Sequence, residues 1–180
     1  MNYVSVGEVN YVLAQVNFGR LLAPLDSPRL ADFAAALEPV NALADAAPGF
    51  VWRLQTEDGN ATAVGGFEED ATEVGGGILI NMSVWESIEA LGAYVYDDAH
   101  VGVLRRRREW FSQMKDAYMA LWWIPRGHVP TVGEAEDRIK YLRAHGPTPH
   151  AFSLKVSYPP PGGGAGAEPT GGPAEWLCPA

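Results

Sequence analysis

Apolar and polar residues alternate along Tyr11-Val-Leu-Ala-Gln-Val-Asn-Phe18, which predicts a first strand. Leu13, Gln15 and Asn17 fall on one of its sides, and Val12, Ala14, Val16 and Phe18 on the other. After Ser27-Pro28, read as N-cap and first helical position, Leu30, Phe33, Leu37, Val40 and Ala44 recur at helical spacing. Pro39 inside that pattern is expected to kink or split the helix. Pro48-Gly49 stops it, and residues 50–56 read as a second strand. The acidic, glycine-rich stretch 57–77 is long for a hairpin loop and is expected to be mobile and to cover part of a pocket. Ile78 to Ser83 reads as a third strand buried on both faces, with Ser83 capping the next helix and Glu86 completing a capping box. That helix carries an inner stripe of Ile88, Leu91 and Val95, resuming at Val103, Leu104 and Phe111 beyond a bend near Asp97-Asp98. Tyr118 to Ile124 is strongly β-prone and ends at Pro125. Thr131 is the expected cap of a last helix through Ala135, Ile139 and Leu142, with Glu134 at its capping-box position. Phe152 to Tyr158 reads as a short edge strand, and the Pro-, Gly- and Ala-rich residues 159–180 as a disordered tail.

The order β-α-β-β-α-β with an added α-β predicts an α+β, ferredoxin-like antiparallel sheet in a single domain over residues 1–158. Both helices of the β-α-β-β-α-β order would cover one face. The other face would carry one of Trp122 and Trp123, which point opposite ways from the fourth strand, while its neighbour lines the pocket. A second copy of the chain is the expected cover for that face, so a homodimer is predicted.

Composition narrows the classes. A 47% hydrophobic content in 180 residues is ample for a packed core. No apolar run approaches the roughly 18 residues of a membrane span, and the first residues lack the features of a secretory signal. The one cysteine, Cys178, has no partner for an intramolecular disulfide. A cytoplasmic protein is expected. The net charge of −9 disfavours nucleic acid or an anionic membrane as partner. The run Arg105 to Arg108 spreads around a helix and reads as a solvated or salt-bridged face, with an anion contact as the alternative.

Cys-x-x-Cys, His-Glu-x-x-His, Gly-x-Gly-x-x-Gly in strand-turn-helix context, the P-loop lysine motif and Gly-x-Ser-x-Gly are all missing from the sequence. What remains is chemistry by a shaped pocket, hydrogen bonds and one imidazole. Asn81-Met-Ser-Val-Trp85 follows the apolar run Ile78-Leu-Ile80, and His100 lies 15 residues further on. The bland alternatives stay open: Asn17 tethering a loop, Asn81 satisfying backbone groups at a strand end, and Trp85 packing as core. His128, between two prolines, reads as a turn residue, and His145 as a helix C-terminal cap.

Leu13-Ala-Gln-Val-Asn17, Asn81-Met-Ser-Val-Trp-Glu-Ser87, His100, Leu104-Arg-Arg-Arg-Arg-Glu-Trp-Phe111 and Leu121-Trp-Trp-Ile-Pro-Arg-Gly-His-Val-Pro-Thr131 carry a family resemblance. The chain resembles the dimeric α/β-barrel superfamily, which includes antibiotic-biosynthesis monooxygenases and small haem-degrading monooxygenases. Within it, the chain looks like an uncharacterised family. The resemblance implies that Asn81 and Trp85 line a pocket between sheet and helices, as in quinone-forming members. It also implies an alternative in which Asn17, Trp85 and His100 serve a haem, with His100 on the iron at a longer separation than usual in those enzymes. The expected function is cofactor-independent oxygenation of an aromatic or polyketide-like small molecule. Haem binding, a cyclase or isomerase, and a non-catalytic binding protein are the alternatives. The candidate catalytic residues are His100, Asn81 and Trp85. The candidate substrate contacts are Asn17, Trp52, Tyr96, Arg107, Phe111 and Trp122.

Overall fold

Strand β1 (Tyr11–Arg20) lies near the centre of a four-stranded antiparallel sheet of order β2-β3-β1-β4, with β2 Phe50–Arg53, β3 Ile78–Trp85 and β4 Met119–Pro125. The computed structural model describes residues 10–55, 66–70, 75–97, 101–102, 105–162 and 169–171. This strand order, with helix α1 (Ala31–Ala46) crossing from β1 to β2 and α2 (Ile88–Val95) following β3, is the ferredoxin-like arrangement read from the sequence. A one-turn helix α3 (Arg107–Trp110) precedes β4, and α4 (Val132–His145) follows it. No helix among the described residues is long and apolar enough to cross a membrane.

Both faces of β1 are buried, and its alternation sorts them as read. Val12, Ala14, Val16 and Phe18 join Ile80, Met82, Val84, Ala120, Trp122 and Ile124 in one core. Leu13 joins Trp85 and Leu121 in the other. α1 and α2 cover the Leu13 side, contributing Ala44 and Leu91. The Val12 side is covered within the chain, by Ala135, Ile139 and Leu142 of α4. The bare face on which the expected homodimer rested is therefore absent. Trp122 is 1% exposed under α4, and its indole Nε1–H donates to Glu134 at 2.8 Å. Each such large apolar side chain removed from water contributes roughly 1.5–3 kcal/mol, and α4 collects that gain without a partner.

Several boundaries differ from the pattern reading. β3 does not stop at Ser83: it pairs with β1 as far as Leu13 opposite Trp85, so Ser83 is mid-strand. The N-cap of α2 is Ser87, whose Oγ accepts from the Ala90 N–H at 3.1 Å. Pro39 neither splits nor ends α1. It sits on the exposed side of the helix, as does Ala35, whose carbonyl loses its N–H donor. Thr131 caps α4 as read, its Oγ1 accepting from the Glu134 N–H, but the Glu134 carboxylate turns to Trp122 and His128 instead of closing the box.

Phe152 to Tyr158 does not extend the sheet as an edge strand. Phe152 alone bridges Leu121 of β4, and β5 (Val156–Ser157) pairs with β6 (Thr170–Gly171) in a separate ribbon. Within the long segment after β2, residues 57–65 and 71–74 lie outside the described residues. Phe67 is buried under α4, stacked on Phe18 at 4.2 Å, with its N–H held by Glu136. Asp70 is clamped by both terminal nitrogens of Arg143 at 3.0 Å. This part of the expected pocket cover packs on the α4 side of the sheet, away from Asn17, Asn81 and Trp85.

Candidate functional site

The register of β1 on β3 sets Asn17 directly opposite Asn81, Gln15 opposite Ser83 and Leu13 opposite Trp85, all on the face under α1 and α2. Directly paired residues hold their Cβ atoms about 4.5–5.5 Å apart, so two carboxamides meet near mid-sheet. α1 crosses above them. Its positions Leu37, Val40 and Ala44 form the packing stripe, and Asn41 takes the place in that stripe where an apolar residue is due. A third carboxamide thus faces the first two across a gap.

That gap is a cavity of about 120 Å³ lined by Asn17, Asn81 and Asn41, with Phe33, Ala36, Leu37 and Val40 from α1 as its roof. Arg107, Trp110 and Phe111 of the α3 region and Tyr118 before β4 form its end wall. An apolar cavity of about 150 Å³ takes up benzene, so the space suits one aromatic ring. The wall is tightly set. Phe33 meets Trp110 at 5.2 Å and Phe111 edge-on at 5.1 Å. The Phe111 ring lies so close over Gly19 that a Cβ there would stand 2.5 Å from Phe111 Cδ1. Arg107 places its guanidinium 4.3 Å above the Tyr118 ring and 5.7 Å from Phe111. Its neighbour Arg106 is instead tied to Glu109 and Asp32, as the reading of a salt-bridged face expected.

A second lobe of about 50 Å³ shares the three asparagines and continues along the strands to Gln15, Ser83 and Trp85, closed by Leu91, Tyr94 and Val95 of α2 and by Leu154. Its polar groups are ordered. The buried Trp85 Nε1–H donates to Ser83 Oγ at 2.9 Å, and Ser83 Oγ donates to Gln15 Oε1 at 2.8 Å. Tyr94 stacks on Trp85 with centroids 5.1 Å apart, and its hydroxyl donates to the Val40 carbonyl at 3.4 Å. Burial pushes the Tyr94 phenol up to about 12; the Arg53 charge opposes this and Asp45 and Asp97 reinforce it. Tyr94 is thus a neutral phenol at pH 7, and not a base. Arg53, also on this lobe, is paired with Asp45 at 2.7 Å. Among the described residues no carboxylate lines either lobe, in a chain of net charge −9.

Of the residues singled out from the sequence, Asn17, Asn81, Trp85, Arg107 and Phe111 come together at this cavity. Trp52 and Trp122 are not part of it: both pack into the core on the α4 side of the sheet. Strand alternation does this to Trp122, since it sits opposite Ala14 on the even-numbered face of β1. Tyr96, at the C-cap of α2, is 39% exposed and does not line it. Trp123 faces the α1 and α2 side and gives its Nε1–H to the Tyr158 carbonyl at 2.7 Å. Trp85 is present but not as an open stacking platform. It is fully buried, with Tyr94 stacked on it and Phe50 in T-shaped contact. His100 lies outside the described residues. His128 pairs with Glu134 at 2.8 Å, and His145 holds the Tyr141 carbonyl at 3.0 Å in the last turn of α4. Asn41, Gln15, Ser83, Tyr94 and Tyr118 were not foreseen as lining residues. Asn41 had a legible signal, a polar residue inside an apolar helical stripe; Tyr118 had none.

Comparison with solved structures gives similar folds at low identity. The NE2512 protein of unknown function from Nitrosomonas europaea aligns at 11% identity over 68% of this chain and 96% of its own, with a TM-score of 0.41. SnoaB, a cofactor-independent oxygenase from Streptomyces nogalater, aligns at 14% identity over 68% and 99%, with a TM-score of 0.41. PA3566 from Pseudomonas aeruginosa aligns at 9% identity over 68% and 100%, with a TM-score of 0.42. At these scores the fold assignment rests on the strand order itself. Comparison with the curated proteins finds no match. Residues 12–167 match the family described as "Domain of unknown function (DUF3291)".

Proposed function

The chain belongs to this DUF3291 family, whose description assigns no activity, and from the cavity we propose a cofactor-independent enzyme that oxygenates a small aromatic or polyketide-like phenol. The observation that carries the reading is the meeting of Asn17 and Asn81 at one register position, with Arg107 on the same cavity wall and no carboxylate among the described lining residues. Such a site favours a ligand that carries or develops negative charge on oxygen. Preorganised donors of this kind contribute about 2.7–4 kcal/mol each where they have been removed from other enzymes.

In this reading the ring lies among Phe33, Phe111 and Tyr118, and the phenol oxygen faces Asn17 and Asn81. Loss of the phenol proton gives a phenolate that the amides and Arg107 stabilise. Dioxygen reacts with the electron-rich ring; one oxygen atom stays on carbon and the other leaves as water. The phenol proton and the hydrogen displaced from carbon end in that water, so phenol plus dioxygen gives quinone plus water. His100, in the segment after α2, is the proposed proton acceptor. Trp85 acts through Ser83 and Gln15, since its indole is fully buried, with Tyr94 stacked on it and Phe50 in T-shaped contact. Turnover of a naphthol or anthrol under air, compared with the same mixture without dioxygen, tests the reaction. Equal turnover in both would replace oxygenation by cyclisation or isomerisation.

A further inference from the structure

The buried chain Trp85–Ser83–Gln15 has a direction. An indole N–H can only donate, and that of Trp85, fully buried, goes to Ser83 Oγ at 2.9 Å. The Ser83 hydroxyl proton then goes to Gln15 Oε1 at 2.8 Å, inside a site where Ser83 and Gln15 are each 6% exposed. With its oxygen engaged, the Gln15 amide is held one way round, and its two Nε2 hydrogens remain for the lobe that Gln15 lines. Reversing the amide would set Nε2 toward the hydroxyl and leave that buried proton without its acceptor, a costly arrangement.

We propose that Gln15 is a fixed hydrogen-bond donor that selects ligands carrying a carbonyl or phenolate oxygen in the second lobe. Gln15 stands two residues from Asn17 on one strand face, roughly 7 Å away along β1. A ligand with its ring in the larger lobe and an oxygen substituent pointing along the strand would meet both amides. The substrate class is thereby narrowed to aromatic ketones and phenols with a second oxygen near the ring, and groups that can only donate are disfavoured. The inference rests on the reading of the cavity as a small-molecule site.

Three probes of one size test it on the full chain by calorimetry or ligand-observed NMR: 1-indanone, an acceptor; indane, which has no polar group; and indole, a donor. The wild type is expected to prefer indanone over indane and indole by roughly tenfold, the ratio that one net hydrogen bond gives. Gln15→Met, close in volume, is expected to bring that preference to near unity. Gln15→Glu, an acceptor, is expected to turn it toward indole. Ser83→Ala, which frees the amide to rotate, is expected to reduce it several-fold while indole gains. Binding of all three probes without preference in the wild type, which needs no variant, overturns the donor role and leaves the cavity reading standing. An indanone preference that survives Gln15→Met also overturns it. No binding of any probe overturns both.

Discussion

The two faces of one sheet were built from the same alternation and ended differently. Under α4, Val12, Ala14, Val16, Ile80, Met82, Ala120, Trp122 and Ile124 close an apolar core, and the buried Trp122 indole is met by Glu134. Under α1 and α2, the matching positions hold Gln15, Asn17, Asn81 and Ser83, and the helix above brings Asn41 rather than a large apolar side chain. A face of apolar residues packs to high density and leaves no void. A face carrying carboxamides at paired positions leaves a space that something with hydrogen-bonding groups has to fill. One face is closed core, and the other carries the cavity proposed to bind a ligand.

The widest separation between the faces is expected from truncations. Trp122→Ala removes a fully packed indole and strips Glu134 of a donor, and is expected to lower stability by about 3–5 kcal/mol, read from the urea midpoint. If Trp122→Ala leaves the midpoint unmoved, the closed face is not where stability resides. Asn17→Ala and Asn81→Ala are each expected to lower turnover of the proposed phenol by about 10²–10³-fold. Their melting temperatures should shift little, because both amides border a cavity. A large loss of stability without a selective loss of turnover would make these amides structural.

Alkaline titration sharpens the contrast next. The Tyr94 pKa is raised from 10.0 to about 12, so the folded chain keeps a proton that the unfolded chain gives up. Stability is complete below pH 10 and declines between pH 10 and about 12. Denaturation across that window, with Tyr94→Phe as reference, should show a slope that flattens in the variant. Gly19→Ala brings a Cβ against Phe111 and is expected to weaken ring binding several-fold, measured with the indane probe, while the α4 core stays intact.

The smallest effect belongs to His150 at the outer end of α4. Burial, and then the Arg138 guanidinium whose Nη1 stands 2.6 Å from Nδ1, hold its pKa below 6.5. Above pH 6.5 the neutral ring is the same in both states and the contribution is whole. As pH falls from 6.5 through the folded value, the unfolded chain takes a proton that the folded chain resists, and stability is lost. His150→Gln should remove that slope without touching turnover.

Much of this fold was legible because strand alternation is strict. Val12, Ala14, Val16 and Phe18 were separated from Leu13, Gln15 and Asn17 by period two alone, and β1 is sorted that way. The Thr131 cap was legible because its bond is local, spanning three residues. Ser83 misled for the same reason. A serine followed three residues later by glutamate has the pattern of a cap, yet pairing with β1 carries β3 on to Trp85. Trp52 and Trp122 were drawn to the pocket by residue type, and their strand positions sent them to the other face.

The sequence by itself determined the order of elements, the two-sided character of β1 and the presence of amides near the ends of two strands, because periodicity and capping act over a few residues. Only the tertiary structure decided that Asn17 faces Asn81, that Asn41 joins them from α1, and that α4 closes the face left for a second copy. Register and layer assignment depend on contacts between residues tens of positions apart. They are set by which packing buries the most apolar surface with every polar group paired, and no local pattern encodes that balance.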